Sequence, residues 1–597
     1  MEQEVLQEKL KQFLVNYEQR IEEIAEELRD KPMPSLTEEL FSRFEQDGNR
    51  LVYENVYFLR RKYLATFGIL AVLKKRREDI LYLEQILTSI CEEECWALPA
   101  HVNRKKNTNW RITIDLFACE TAQTVSELCS LLKERLSKKC LQRVKTEVEE
   151  RVFTPFYESE IPYAFWETCS ENWNSVCAGS IGSASIYWMK DTPKRLETCL
   201  KRIIAALKNY LNGFGDDGVC MEGLDYYTYG MTYYTGFAAQ LKEYTKGKCD
   251  LLASEKMKKI ALFYQSCFFE GGKTVSFSDG SKDSYFKVGL ACFLAQNFKG
   301  VTVPNLKMAG TFDSDSCFRF MACYRDIIWT KEYLGKRNSQ PFKNEIQTPT
   351  KVVVFPISQW CICQGAFQSG MAVKGGTNQE PHNHNDVGSF FYVLGSDMLL
   401  EDLGAGEYTA DYFGEKRYHI FCNSSFSHNV PILCGMGQYA GTDYRCQEFI
   451  ADGEGKVKMR LERAYPTLGL TSFWRTLFFD TKTGILKIED KFRAEKELSI
   501  TENLVTRYPV EIFKNTIRIQ GKETACKISL DFNSKNISKE EISHKNHQGI
   551  EEIVTCLRWK KRIIDLKNDL TITFQIEPDK KDGGKNDVRI INEDTLC

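Results

Sequence analysis

The sequence lacks a dominant charge. Eighty Lys and Arg against 82 Asp and Glu leave a formal net charge of −2. No global basic field therefore exists to hold nucleic acid or another polyanion, and an acidic polymer would need a local patch. Two basic runs, Arg60-Arg61-Lys62 and Lys74-Lys75-Arg76-Arg77, read first as solvated helix faces. Long apolar runs are missing too. None approaches the roughly 20 residues that span a bilayer, so no membrane partner is expected. Residues 1–10 are charged and lack the apolar core of a secretion leader. The 22 cysteines lack zinc-finger spacing, since neither Cys361-Ile362-Cys363 nor Cys91 with Cys95 has a partner pair. Many unpatterned cysteines with no leader read as buried thiols in a reducing compartment. The expected location is cytoplasmic, in a bacterial cell.

At 597 residues the chain exceeds the roughly 250–300 that one core usually holds, so two or three domains are expected. Leu6, Leu10, Phe13, Leu14, Tyr17, Ile21 and Ile24 recur at helical spacing. Thr192 can cap a helix and Pro193 fits its first position. Leu196, Leu200, Ile203, Leu207 and Leu211 form one face, and Asn212-Gly213 ends it. Strand alternation is not sustained before about residue 335. After Lys336-Arg-Asn-Ser-Gln-Pro341, which reads as a linker, strand-like runs begin. They include Lys351-Val-Val-Val-Phe355, Leu486 and Ile488 after a Thr481-Lys-Thr-Gly484 turn, and Ile572, Phe574 and Ile576. The expectation is an all-α domain over 1–340 and an antiparallel, sandwich-like β domain over 341–597.

Histidine is scarce, seven in all, yet His382, His384, His419 and His428 fall in one short stretch. In a strand, His382 and His384 would share a face, placed to bind a metal or to divide labour between metal and substrate. Asp402 and His428 offer further ligands. Imidazole and carboxylate without thiolate suit zinc or manganese rather than calcium. Two polar-aromatic islands mark the helical half. Ser170-Glu-Asn172-Trp173-Asn-Ser-Val-Cys177 leads into a run of small residues that suits close helix packing. Glu222-Gly-Leu-Asp-Tyr226-Tyr227-Thr-Tyr229-Gly230 holds more tyrosine than a plain helix face needs.

These islands, followed by Pro381-His-Asn-His-Asn-Asp-Val-Gly388, Asp402-Leu-Gly-Ala-Gly406 and Asn423-Ser-Ser-Phe-Ser-His-Asn429, resemble the heparinase II/III family of polysaccharide lyases and its relatives, the oligo-alginate lyases and uronyl epimerases. The resemblance covers roughly residues 50–575. It implies an incomplete α/α toroid followed by an antiparallel β-sandwich, with the cleft between them. It also implies β-elimination on uronic-acid glycans, of glycosaminoglycan type above all. There Asn172 hydrogen-bonds the uronate carboxylate. Tyr229 acts as acid and as a possible base, and His382 is the other base or a second carboxylate partner. Trp173, Glu222, Tyr226 and Asn383 are implied to line the substrate. His384, Asp402 and His428 are implied to hold one structural divalent metal, zinc or manganese. Several relatives carry His directly after the Asn, where this chain has Trp173. That shifts weight to His382 and Tyr229, and Tyr226 and Tyr227 lie near enough to exchange roles with Tyr229. His419 has no assigned role.

Three other readings stay open. A uronyl C5-epimerase would use the same groups. A glycoside hydrolase on a toroid would need two flanking carboxylic acids, for which Asp216, Asp217, Glu222 and Asp225 are available. A non-catalytic glycan-binding protein would have lost the metal cluster.

Overall fold

The computed structural model describes residues 2–337, 352–531 and 537–579. The expected boundary at 340/341 and most of the expected linker lie outside these residues. Helices fill the first part and antiparallel sheets the rest, as the two hydrophobic periodicities predict.

The first helix, Glu2–Arg29, buries Leu10, Leu14, Tyr17, Ile21 and Ile24 along one face. The helix Pro193–Asn212 has the predicted bounds and buries Leu196, Leu200, Ile203 and Leu207. Thr192 does not cap it; its hydroxyl donates instead to the Met189 carbonyl, at 3.2 Å. The helix Asn172–Trp188 is different. It is buried almost all round, because its alanines, serines and glycines let helices close in on several sides. Its neighbours include Leu116–Leu131, Pro193–Asn212 and Leu224–Tyr244. It is thus an interior helix, with the amphipathic Pro193–Asn212 packed on one side of it.

The basic run at Arg60 corrects its sequence reading. Arg60 and Arg61 are buried and share the carboxylate of Glu93, at 2.6 and 2.8 Å. They brace the helix Leu51–Lys74 from within, rather than face solvent.

Among the described residues, the β region holds sheets of eight, five and four strands and a two-stranded ribbon. In the long hairpin Leu470–Asp480 and Ile485–Ala494, alternate residues such as Leu486, Ile488 and Phe492 point inward. The alternation expected for Ile572, Phe574 and Ile576 holds in the strand Leu570–Pro578. The five-stranded sheet leans on the helical domain, where Trp360 and Phe391 pack against Phe263 and Phe277. That apolar seam fixes the two halves together, and the functional residues gather beside it. No described helix is long and apolar enough to cross a membrane.

Candidate functional site

The site is organised around a residue that its sequence context hides. Ser278-Asp279-Gly280 forms a turn in the connection between the helices Glu255–Ser266 and Val288–Asn297. Two motif glycines make room for it. Gly223, at φ +97°, would press a Cβ to 2.7 Å from the Phe277 carbonyl, and Gly404, at φ +65°, to 1.9 Å from that of Gly280. Any side chain at either position would push the turn away. The Glu222-Gly223 island and the Asp402–Gly406 block thus clamp one loop between them.

Asp279 is buried and receives five side chains. His382 Nδ1 lies 2.7 Å from Oδ2, and His384 Nε2 lies 3.0 Å from Oδ1. Tyr412 donates to Oδ1 at 2.5 Å, Tyr408 donates to Oδ2 at 3.3 Å, and Arg417 spans both oxygens. Burial alone would raise this carboxyl, but the hydrogen bonds from the two histidines and the charge of Arg417 hold it well below its usual range. With Asp279 anionic, His382 carries its proton on Nδ1 and leaves Nε2 open, whereas His384 carries it on Nε2 and leaves Nδ1.

The two histidines are not on a strand, contrary to expectation. They lie in the loop between Thr377–Asn378 and Phe390–Leu394. His382 has φ +57°, a left-handed conformation that non-glycine residues rarely adopt outside functional or strained positions. The loop, not a β-pleat, turns one imidazole toward the cleft and the other inward.

On the cleft side, the His382 ring stacks on Tyr226 with centroids 4.0 Å apart, and its Nε2 lies 3.7 Å from Glu222 Oε2. Glu222 in turn holds Asn172. Its Oε1 accepts the Asn172 backbone N–H at 2.8 Å and its Oε2 accepts the side-chain amide at 2.6 Å. Asn172 opens its helix, so Glu222 also satisfies an otherwise orphaned helix-start N–H. Burial pushes Glu222 up to about 7, against the opposing charge of His382 and the bonds from Asn172. His382 moves the other way from what burial alone would do. The hydrogen bond and charge of Asp279, and then the charge of Glu222, hold it above its ordinary value. The phenol of Tyr226 bonds Tyr408 at 2.6 Å. Burial and the charge of Asp279 raise it, despite that bond.

Tyr229 sits one helical turn further on and serves a different partner. Its hydroxyl donates to Glu120 at 2.5 Å, and Arg319 lies 4.1 Å above its ring. Burial, reinforced by the charge of Glu120, holds it well above its ordinary value. The tyrosine beside His382 is therefore Tyr226. Tyr227 is wholly buried and bonds the Ile260 carbonyl. Asn383, expected to touch substrate, is buried and braces its loop, donating to the His384 carbonyl and accepting from Tyr418. Trp173 lies against His101 and Phe165. A cleft of about 480 Å³, lined by Gly215 and Met221 from the helical half and by Ser358, Thr377, Glu380 and Arg445 from the β half, takes in sequence neighbours of Glu222 and His382 but not those residues themselves.

On the inner side, His384, Asp402 and His428 are fully buried, and the ligand atoms they offer lie within 4.8 Å of one another. Each turns one buried atom toward the others: His384 Nδ1 has no hydrogen-bond partner, and Asp402 Oδ2 and His428 Nδ1 meet only each other, at 3.3 Å. The remaining atoms are engaged. His384 Nε2 meets Asp279, His428 Nε2 meets the Cys422 carbonyl, and Asp402 Oδ1 accepts from Gly404. Three converging, buried ligand atoms on a His, an Asp and a His fit a divalent cation of the zinc or manganese kind.

The carboxylates considered for hydrolysis do not converge. Asp216 pairs with Lys256, and Asp217 holds the Ile357–Ser358 backbone. Asp225 accepts from Ser284, and Glu222 holds Asn172. Sequence reasoning missed Asp279, Arg417, Tyr408, Tyr412, Glu120 and Arg319. Tyr408 and Tyr412 follow directly on the Asp402–Gly406 block, a proximity that could have flagged them. Asp279 stands in an Asp-Gly pair, the usual mark of a turn.

No family model matches the chain, and no curated protein is similar to it in sequence. Solved structures are similar over nearly its whole length. A mutant of the heparan sulfate lyase of Pedobacter heparinus matches with TM-score 0.58 at 12% identity, over 97% of this chain and 90% of that one. A heparinase III gene product matches with TM-score 0.59 at 13% identity, over 96% and 91%. The chondroitin AC lyase of Streptomyces coelicolor, solved with chondroitin sulphate, matches with TM-score 0.54 at 8% identity, over 95% and 79%. The fold is thus that of the toroid-and-sandwich polysaccharide lyases. The resemblance to the heparinase II/III lyases seen in the motifs holds at the level of that fold.

Proposed function

We propose that the protein is a polysaccharide lyase that cleaves uronic-acid glycans by β-elimination in the cleft beside His382. The observation that carries this reading is the convergence of Asn172, Glu222, His382 and Tyr226, drawn from both halves of the molecule, on one another. Fold alone would not suffice, since folds host many activities.

Elimination removes the C5 proton of a uronate and expels the oxygen on C4. The proton is weakly acidic while the adjacent carboxylate is charged, so that charge must be neutralised as it spreads toward C5. Glu222, pushed up to about 7, is partly protonated near neutrality and can share its proton with the substrate carboxylate, while Asn172 is held beside it. His382, with Nε2 open and Asp279 behind it, is the base. Tyr226 is held protonated at neutral pH, which suits an acid for the leaving oxygen. Its hydroxyl reaches Asp279 through Tyr408, so Tyr226 and the Nδ1 of His382 are linked by one chain of hydrogen bonds. Tyr229 is the alternative acid. His384, Asp402 and His428 would hold a zinc or manganese ion that ties down the loop carrying His382. The substrate is an acidic oligosaccharide or polysaccharide of the glycosaminoglycan type.

The test is to incubate the protein with heparosan, chondroitin, hyaluronan and alginate and to follow the ultraviolet absorbance of the unsaturated uronate. Cleavage of one of them, lost in His382→Ala and in either Tyr226→Phe or Tyr229→Phe, supports the lyase and assigns the acid. Solvent deuterium entering C5 without absorbance would identify an epimerase instead. Neither signal would overturn the catalytic reading.

A further inference from the structure

Glu171 stands at the N-cap of the helix Asn172–Trp188, yet its side chain makes no capping bond. It is half-buried, and among the described residues its carboxylate has no hydrogen-bond or ion-pair partner. That carboxylate joins Glu222 and His382, since one ligand atom from each of the three lies within 4.8 Å of the others. His382 supplies Nε2, because Asp279 holds Nδ1 at 2.7 Å, and Nε2 stands 3.7 Å from Glu222 Oε2. A fourth acceptor borders them. Asn172 is buried and donates its amide N–H to Glu222 Oε2 at 2.6 Å, while the oxygen of the same amide, Oδ1, is buried without a hydrogen-bond partner. A uronate carboxylate would not satisfy Oδ1, because both are acceptors. Lone pairs outnumber donors here, and a cation answers them.

We propose that Glu171, Glu222 and His382 Nε2 form a second divalent-metal site, separate from the inner cluster of His384, Asp402 and His428, and that zinc bound there stops catalysis by occupying the base. An imidazole with two carboxylates suits zinc. Zinc–ligand bonds of about 2.1 Å put tetrahedral ligand atoms ~3.4 Å apart. His382 and Glu222 already stand near that separation, and Glu171, with no partner to hold it, can swing to close the gap. With its Nε2 lone pair given to zinc, His382 cannot take the C5 proton, and Glu222 can no longer share one with the substrate carboxylate. The site is weaker than the inner one, because Glu171 is within reach of water and Glu222 is shared with Asn172, whereas the inner ligands are fully buried. It fills only at zinc beyond what saturates the inner cluster. The blocking role rests on the lyase reading above; the site itself does not.

The test is equilibrium dialysis of the full chain against zinc at two free concentrations, one that saturates the inner cluster and one well above it. The parent should take up a second zinc at the higher concentration. Glu171→Gln, a near-isosteric change at a half-buried position, and His382→Ala should each keep the first zinc and lose the second, whereas His428→Ala should lose the tighter one and keep the weaker. In the absorbance assay, excess zinc should slow cleavage. Glu171→Gln should raise the half-inhibiting zinc concentration about 10- to 100-fold, measured against its own zinc-free rate. A parent whose uptake at the higher concentration equals that of Glu171→Gln would overturn the site. A second zinc that is lost in Glu171→Gln but leaves cleavage by the parent untouched would uphold the site and overturn the blocking role. The same loss in a protein that cleaves no glycan would uphold the site and sink the lyase reading.

Discussion

His382 and His384 stand two residues apart and lean on the same carboxylate, yet they belong to two unlike regions. The cleft cluster of Asn172, Glu222, His382 and Tyr226 is partly open. Its titratable groups push against one another, with Glu222 raised toward neutrality and His382 held up by two acids. The inner cluster of His384, Asp402 and His428 is sealed, and three of its atoms have no hydrogen-bond partner outside the cluster. On the proposed reading, identical residue types divide into proton chemistry and metal holding according to solvent access and to which nitrogen Asp279 occupies. One buried acid sets both tautomers, so the two regions are mechanically one.

The largest effect is expected at that joint. Asp279→Ala leaves Arg417 buried beside two unanchored imidazoles, and should cost about 3–5 kcal/mol in chemical denaturation while removing both turnover and metal uptake. If only one of the two were lost, the clusters would be independent. His382→Ala should separate them cleanly, lowering kcat/KM by about 10²–10⁴ with the denaturation midpoint and metal content unchanged. The converse is His428→Ala. The parent protein should gain about 2.7 kcal/mol at zinc or manganese near a hundred times its Kd, lose that gain with chelator, and the variant should show none of it. A parent whose stability ignored both metals would mean that the inner cluster is only a hydrogen-bonded core.

The smallest expected effect concerns pH. Glu222 is raised above its unfolded value, so it is neutral below about 7 and charged above it. If its neutral form faces the substrate carboxylate, kcat/KM falls as pH rises through that range. Glu222→Gln should flatten this alkaline limb while keeping turnover. A limb that persisted in Glu222→Gln would assign it to another group.

Much of this was legible beforehand. The helix Pro193–Asn212 and the strands around Leu486 and Ile572 follow from hydrophobic periodicity, because burial on one face imposes a period of 3.6 or 2 on the chain itself. His384, Asp402 and His428 were legible as a group because scarce histidines clustered. The strand conformation expected of His382 and His384 failed because a loop held by tertiary hydrogen bonds overrides local spacing. Asn383 looked available and is buried. The basic run at Arg60 looked solvated, but Glu93, just past the end of the helix Arg77–Cys91, lies against it.

The sequence by itself determined the two-part architecture, the place of the histidine cluster and the residue types available for chemistry, since periodicity and composition are properties of the chain. The tertiary structure alone decided that Asp279 ties the clusters together, that Tyr226 rather than Tyr229 stacks on His382, and that His101 returns an imidazole to the side of Trp173. Those contacts join residues some 70 to 160 positions apart. The first two are made by packing of the two halves across their apolar seam, and the third by packing of helical segments within the first half.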